Sequence, residues 1–271
     1  MRFLFIPLLL LYACLATAAR VDTLNVYSPS MHKTVRTVVV TPDGYTRDHP
    51  FPVVYLLHGY GGNYADYIRN IPGIARDADA YHLIIVCPDG RYNSWYLDSP
   101  EDSTSRYETF VSSELVHWVD EHYSTIRDRS GRAISGLSMG GHGALSLSFR
   151  HQDVYGAAGS MSGGVDLRPF PDNWDLAAQL GTYAQYPGRW DTNSVINLVY
   201  LLHPKTLPLA LIIDCGTEDF FYTVNMNLHQ LLLQRNIPHD FITRPGAHDW
   251  DYWSNSVRYQ LLFFSRFFHH G

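Results

Sequence analysis

The stretch AISGLSMGGHGAL, residues 133–145, sets Ser138 among Gly136, Gly140, Gly141 and Gly143. Residues 133–137 are apolar or small and read as a strand, and the residues after Ser138 read as the start of a helix. A serine at a tight strand-to-helix turn is held in a strained backbone conformation, and the turn leaves no room for Cβ atoms two positions to either side. Gly136 and Gly140 occupy those two positions. The turn thus requires the glycines, and it lifts a hydroxyl to the carboxyl end of a strand, where parallel sheets meet their ligands.

Outward from this turn the chain keeps alternating between the same two kinds of element. Short apolar, β-branched runs at 34–41, 52–57, 83–87, 133–137, 209–214 and 240–243 predict strands. Helical patterns fill 105–122, 139–151, 220–235 and 251–268; in the first, Val111, Leu115, Trp118 and Val119 recur at helical spacing and are expected to face the sheet. Such alternation implies crossover connections, hence an α/β fold with a mainly parallel central sheet and helices on both faces. Residues 21–41 are expected to add an antiparallel pair at one edge. The segment 169–204, rich in Pro, Gly, Trp and Tyr, breaks the pattern and predicts a small helical insertion rather than a second domain. With 271 residues, 46% of them hydrophobic, the chain can bury one large core.

Composition narrows the partners. The formal charge is -6 and the basic residues are scattered, so nothing marks a nucleic-acid or anionic-membrane surface. The 19 Tyr and 6 Trp exceed what a core needs and suggest a cleft for rings or sugars. Arg2, an apolar run over 3–15 and Ala16-Thr17-Ala18 read as a signal peptide, residues 1–18, leaving a single mature domain over 19–271 that is exported to the periplasm or beyond. The run contains Pro7 and is shorter than the roughly 20 residues of a spanning helix. Leu11-Tyr12-Ala13-Cys14 is similar to the box cut ahead of a lipidated cysteine, so a lipid anchor at Cys14 is the alternative. Cys87 and Cys215 are too few for a disulfide framework and read as buried thiols, with a bridge between them left open. None of the 14 His falls at H-E-x-x-H spacing, so neither a metal nor another cofactor is expected.

A serine hydroxyl becomes a nucleophile only when a base takes its proton, and that base must be oriented by a third group. His248, in RPGAHDWDYW, follows the last predicted strand and opens on the same edge as Ser138. His142 would lie on the helix leading away, His58 ends an early strand, and His269 and His270 are close to the C-terminus. LIIDCGTEDFFY offers three acids: Asp214 is still in its strand, whereas Asp219 lies past the turn, with Glu218 the second choice. The order Ser, Asp, His is that of α/β-hydrolases. A tetrahedral intermediate needs preorganised N–H donors, expected here from Met139 and from Tyr60 in LLHGYGGN. The latter loop lacks the Lys-Ser or Lys-Thr pair of a phosphate loop.

With YLLHGYGGN, GLSMGGHGAL, CGTEDFFY and GAHDWDYW in this order, the chain resembles the putative-esterase family of α/β-hydrolases. That family includes feruloyl and acetylxylan esterases, tributyrin esterases, S-formylglutathione hydrolases and mycolyltransferases. The resemblance runs over residues 35–268 and implies Ser138 as nucleophile, Asp219 as acid, His248 as base, and Tyr60 and Met139 as oxyanion donors. It further implies that CPDGRYNSWYLDSP borders the acyl or alcohol pocket, with Trp95 and Tyr96 touching substrate; the alternative is that Trp95 packs the loop. The expected function is a secreted serine carboxylesterase working through an acyl-enzyme. Its expected substrates are short acyl or hydroxycinnamoyl esters, either small molecules or linked to plant polysaccharides. S-formylglutathione hydrolysis, acyl transfer and non-catalytic carbohydrate binding are the competing readings.

Overall fold

A computed structural model describes residues 18–270. Eight strands form one sheet: β1 (Arg20–Ser28), β2 (Lys33–Thr41), β3 (Val53–Leu57), β4 (Ile84–Pro88), β5 (Arg132–Gly136), β6 (Ala157–Met161), β7 (Ala210–Gly216) and β8 (Asp240–Arg244). Their spatial order is β1-β2-β4-β3-β5-β6-β7-β8. β1 and β2 are antiparallel, β2 runs antiparallel to β4, and every other pairing is parallel. The expected edge pair and parallel body are both present, and the fold is that of an α/β-hydrolase.

The central strands β3, β4, β5 and β6 are buried along their whole length. Alternation sends Val53, Tyr55 and Leu57 to one face and Val54 and Leu56 to the other, so the sheet divides two apolar layers. One layer is closed by the helices Leu115–His122, Met139–Arg150 and Tyr222–Gln234 and by the insertion, the other by Asp66–Asn70, Ile74–Tyr81 and Trp250–His270. The helical run expected over 105–122 is interrupted by a wide π turn at Phe110–Glu114. Val111, Leu115 and Val119 are buried as the spacing implies, whereas Trp118 is half-buried and stacked on His122, ring centroids 4.0 Å apart. Short helices at Leu176–Leu180, Pro187–Asn193 and Val195–Leu198 make up the insertion.

One strand, β6, and two short helices, Asp66–Asn70 and Ile74–Tyr81, lie outside the sequence reading. β6 (AAGSM) has no β-branched residue, and at its centre the last helix packs closely: a Cβ on Gly159 would fall 1.8 Å from Gln260 Oε1. Cys87 ends up on β4 and Cys215 on β7, both buried and unpaired. Three strands lie between β4 and β7, so steps of about 4.8 Å put the two roughly 19 Å apart, which rules out the bridge left open above. The proposed leader over 1–18 and the lipidation box at Cys14 lie outside the described residues, save Ala18. Among the described residues no helix is long and apolar enough to cross a membrane.

Candidate active site

Ser138 sits between β5 and the helix Met139–Arg150 with φ 56° and ψ -117°, a conformation that a side chain with a Cβ rarely adopts. Neighbouring backbone holds it there: Ser138 N–H donates to Met161 C=O at 2.9 Å, and Gly140 N–H to Leu137 C=O at 2.7 Å. The two flanking glycines are a steric necessity. A Cβ on Gly136 would lie 2.4 Å from the Gly140 carbonyl, and one on Gly140 would lie 2.1 Å from Leu57 O at the end of β3.

The loops after β7 and β8 bring the other two groups to this hydroxyl. They close on each other through Glu218 N–H to Gly246 C=O at 3.0 Å and Thr217 N–H to Arg244 C=O at 2.9 Å. His248 Nε2 lies 2.8 Å from Ser138 Oγ, and His248 Nδ1 lies 2.8 Å from Asp219 Oδ2. The other oxygen of Asp219 accepts the Phe221 N–H at 2.8 Å, so the buried carboxylate is fixed at both ends. A carboxylate can only accept, so Nδ1 carries the ring proton and Nε2 presents its lone pair to the serine hydroxyl. Ser138 O–H can therefore hand its proton to the ring as the oxygen attacks.

The rival acids and bases occupy different surroundings. Glu218 is exposed. Asp214 is buried, bound to Arg244 Nη2 at 2.8 Å and to the Tyr252 hydroxyl; burial raises its pKa against the pull of these partners. His142 is buried with its ring nitrogens 3.1 Å from Trp95 O and 2.8 Å from Asn193 O, and burial lowers its pKa to about 4. His58 is also buried: Nδ1 donates to Gly59 C=O at 2.8 Å while Nε2 accepts the Gly90 N–H at 2.7 Å. It shapes the loop that carries Tyr60, and burial holds it toward the neutral form.

Met139 is the first residue of the helix after Ser138, and Tyr60 lines the same cavity as the serine. Among the described residues neither backbone N–H has a protein acceptor. The cavity measures about 280 Å³ and is walled by Tyr60, Asp66, Trp174, Phe220, Trp250 and Trp253 around Ser138 and His248. Phe220 covers the His248 ring at 4.1 Å between centroids, and Trp253 meets it edge-on at 4.8 Å. A larger groove of about 560 Å³ opens at the amino ends of β7 and β8, between Arg129, Leu209, Ile237 and Phe267, far from these groups.

Trp95 and Tyr96 are a correction. The resemblance put them against substrate, but both are buried, 1% and 0% exposed, and neither lines the cavity. Their polar atoms are already taken: Tyr96 O–H donates to His58 C=O at 3.1 Å, and Trp95 Nε1–H to Trp174 C=O at 3.2 Å. The Tyr96 ring fills the space over Gly90 and Gly143. They form the backing of the cavity wall. The rings that do face the serine were open to notice in part, since Phe220 follows Asp219 and Trp250 and Trp253 follow His248; Trp174 and Asp66 come from segments with no marking pattern. Among the described residues no group of three or more His, Cys, Asp or Glu is placed to hold a metal ion.

The sheet order and the serine turn define the class as α/β-hydrolase. A family model described as "Putative esterase" matches residues 28–264, and the chain belongs to that family. It is 27% identical over 216 residues to an acetyl esterase of Caldicellulosiruptor saccharolyticus, covering 75% of this chain and 79% of that protein. Its structure is similar to that of a ferulic acid esterase, with TM-score 0.79, 27% identity, and coverage of 93% of this chain and 100% of the other. The fold is also that of FphF, a fluorophosphonate-binding serine hydrolase of Staphylococcus aureus, with TM-score 0.80, 22% identity, and coverage of 92% and 99%. By class the chain is a serine esterase.

Proposed function

We propose that this protein hydrolyses carboxylic esters through an acyl-enzyme on Ser138, with His248 as the base and Asp219 as its orienting acid. The observation that carries the reading is the unbroken hydrogen-bond chain from Asp219 Oδ2 through both ring nitrogens of His248 to Ser138 Oγ. Ser138 Oγ attacks the ester carbonyl while its proton passes to Nε2, and Asp219 stabilises the imidazolium. The carbonyl oxygen becomes an oxyanion facing the N–H groups of Tyr60 and Met139. Collapse expels the alcohol, which takes the proton from Nε2. Water then repeats the sequence on the acyl-enzyme and releases the acid.

The favoured substrates are acetyl or hydroxycinnamoyl esters of plant polysaccharides. At about 280 Å³ the cavity lies at the small end for ligand pockets, which suits an acetyl group or one aromatic acyl unit better than a long chain. Its rings offer flat apolar faces. The similarity to an acetyl esterase and a ferulic acid esterase supports the same two acyl classes. Export follows from the leader read at 1–18, and an N-terminus at Ala19 in the native host would support it. The deciding experiment compares the mature protein with Ser138→Ala on methyl ferulate, acetylated xylan and p-nitrophenyl esters from acetate to octanoate. Loss of all turnover in a folded variant is expected; retained hydrolysis would remove Ser138 from the mechanism.

A further inference from the structure

Asp175 stands where an aspartate ordinarily caps a helix, yet it does not cap one. It immediately precedes the helix Leu176–Leu180, and its side chain accepts no hydrogen bond from that helix. Its Oδ2 instead accepts the hydroxyl of Tyr60, 115 positions earlier, at 2.9 Å, and the amide of Asn93 lies 3.4 Å from the same oxygen. The Tyr60 ring is braced edge-on by Tyr92, centroids 4.7 Å apart.

The backbone at this point is strained. Trp174 and Asp175 are consecutive non-glycine residues at φ 50° and 53°, in the left-handed region. Trp95 and Tyr96 form a second such pair, at φ 51° and 56°. The two pairs touch, since Trp95 Nε1–H donates to Trp174 C=O and the indole rings lie 6.2 Å apart. Conformations of this kind persist only where surrounding contacts over-determine them, and they collect at clamps and active sites. Here the strain splits two neighbouring side chains between two tasks. Asp175 reaches Tyr60, while Trp174 enters the wall of the Ser138 cavity and stacks on Phe220 at 5.4 Å, which in turn covers His248.

We infer that the Tyr60–Asp175 hydrogen bond is a latch tying the insertion to the oxyanion loop, and that Asp175 is a positioning residue which sets the Tyr60 N–H and the Trp174 wall together. The inference rests on the esterase reading for its catalytic consequence, but the latch itself can be read without any turnover. Tyr60→Phe and Asp175→Ala each remove the bond, Asp175→Asn keeps an acceptor oxygen, and the Tyr60→Phe/Asp175→Ala double variant tests whether the two act as one.

Amide hydrogen exchange over residues 172–181 reports the latch directly, and each bond-breaking single variant should speed it by about tenfold. On p-nitrophenyl acetate and methyl ferulate, kcat should fall about tenfold with KM held within about twofold, the scale of one charge-assisted hydrogen bond. The double variant should be no worse than either single one, and Asp175→Asn should stay within about threefold of wild type. Unchanged exchange in both single variants, or effects that multiply in the double, would overturn the latch. If the wild-type protein hydrolysed neither ester, the esterase reading would fail while the exchange data still decided the latch.

Discussion

Replacing Asp219 by Asn tests the candidate triad more sharply than removing the side chain, because the structure dictates which way the amide must point. Asp219 Oδ1 accepts the Phe221 N–H at 2.8 Å and Oδ2 faces His248 Nδ1 at 2.8 Å. An amide has one oxygen to serve two donors. If the oxygen stays on Phe221, the NH2 faces Nδ1, the ring proton moves to Nε2, and Ser138 meets an N–H in place of a lone pair. If the amide flips, the buried Phe221 N–H faces an NH2 and goes unsatisfied, at a cost of about 1–3 kcal/mol. The first orientation wins, and it holds the wrong tautomer. With the charge opposite the imidazolium lost as well, kcat on p-nitrophenyl acetate should fall about 1,000- to 10,000-fold, or about 4–5.5 kcal/mol. Labelling of Ser138 by a fluorophosphonate should slow in parallel, with the melting temperature little changed. A loss smaller than about tenfold in a folded Asp219→Asn protein would refute the tautomer argument.

Two further outcomes follow from steric and titration features. Gly140→Ala places a Cβ 2.1 Å from Leu57 O, so β3 or the helix must shift; a cost of at least about 2 kcal/mol, read as a fall in Tm of about 5 °C or more, is expected. A melting curve matching wild type would show that the elbow has room. His142 is buried and its pKa is lowered to about 4, so between about pH 6.5 and 4 the unfolded chain binds a proton that the folded chain refuses. Stability should therefore drop as pH falls through that window, by about 3 kcal/mol from this group. Urea unfolding at pH 7.5 and 4.5 should show a smaller acid loss in His142→Gln; an equal loss would remove His142 as the cause.

Periodicity and turn chemistry made most of the sheet legible, most plainly where a strand is apolar on both faces. β3 and β4 are plain in VVYLL and IIVCP. β6 is not, since AAGSM carries no β-branched residue and has a glycine at its centre, packed against Gln260, so the pattern that signals a strand is missing. The helix Ile74–Tyr81 buries only Ile74 and Ala78, too few positions to set a period. At the site, Ser138, Asp219 and His248 could be chosen because each follows a strand directly, and strand ends share one edge. Trp95 and Tyr96 were misplaced because sequence shows aromatic character and hides backbone angle: at φ 51° and 56° their rings turn into the core. Trp174 and Asp175 depend on the same hidden variable, in a segment without any repeat to index it.

The separation of Cys87 and Cys215 bears on how the protein can be made. Both thiols are buried, and burial pushes both pKa values far above their ordinary range, which removes the thiolate that oxidants and disulfide exchange require. Three strands stand between them. Once folded, the described residues therefore keep both thiols unpaired in a reducing or an oxidising space, and Cys87 and Cys215 call for no oxidative refolding step.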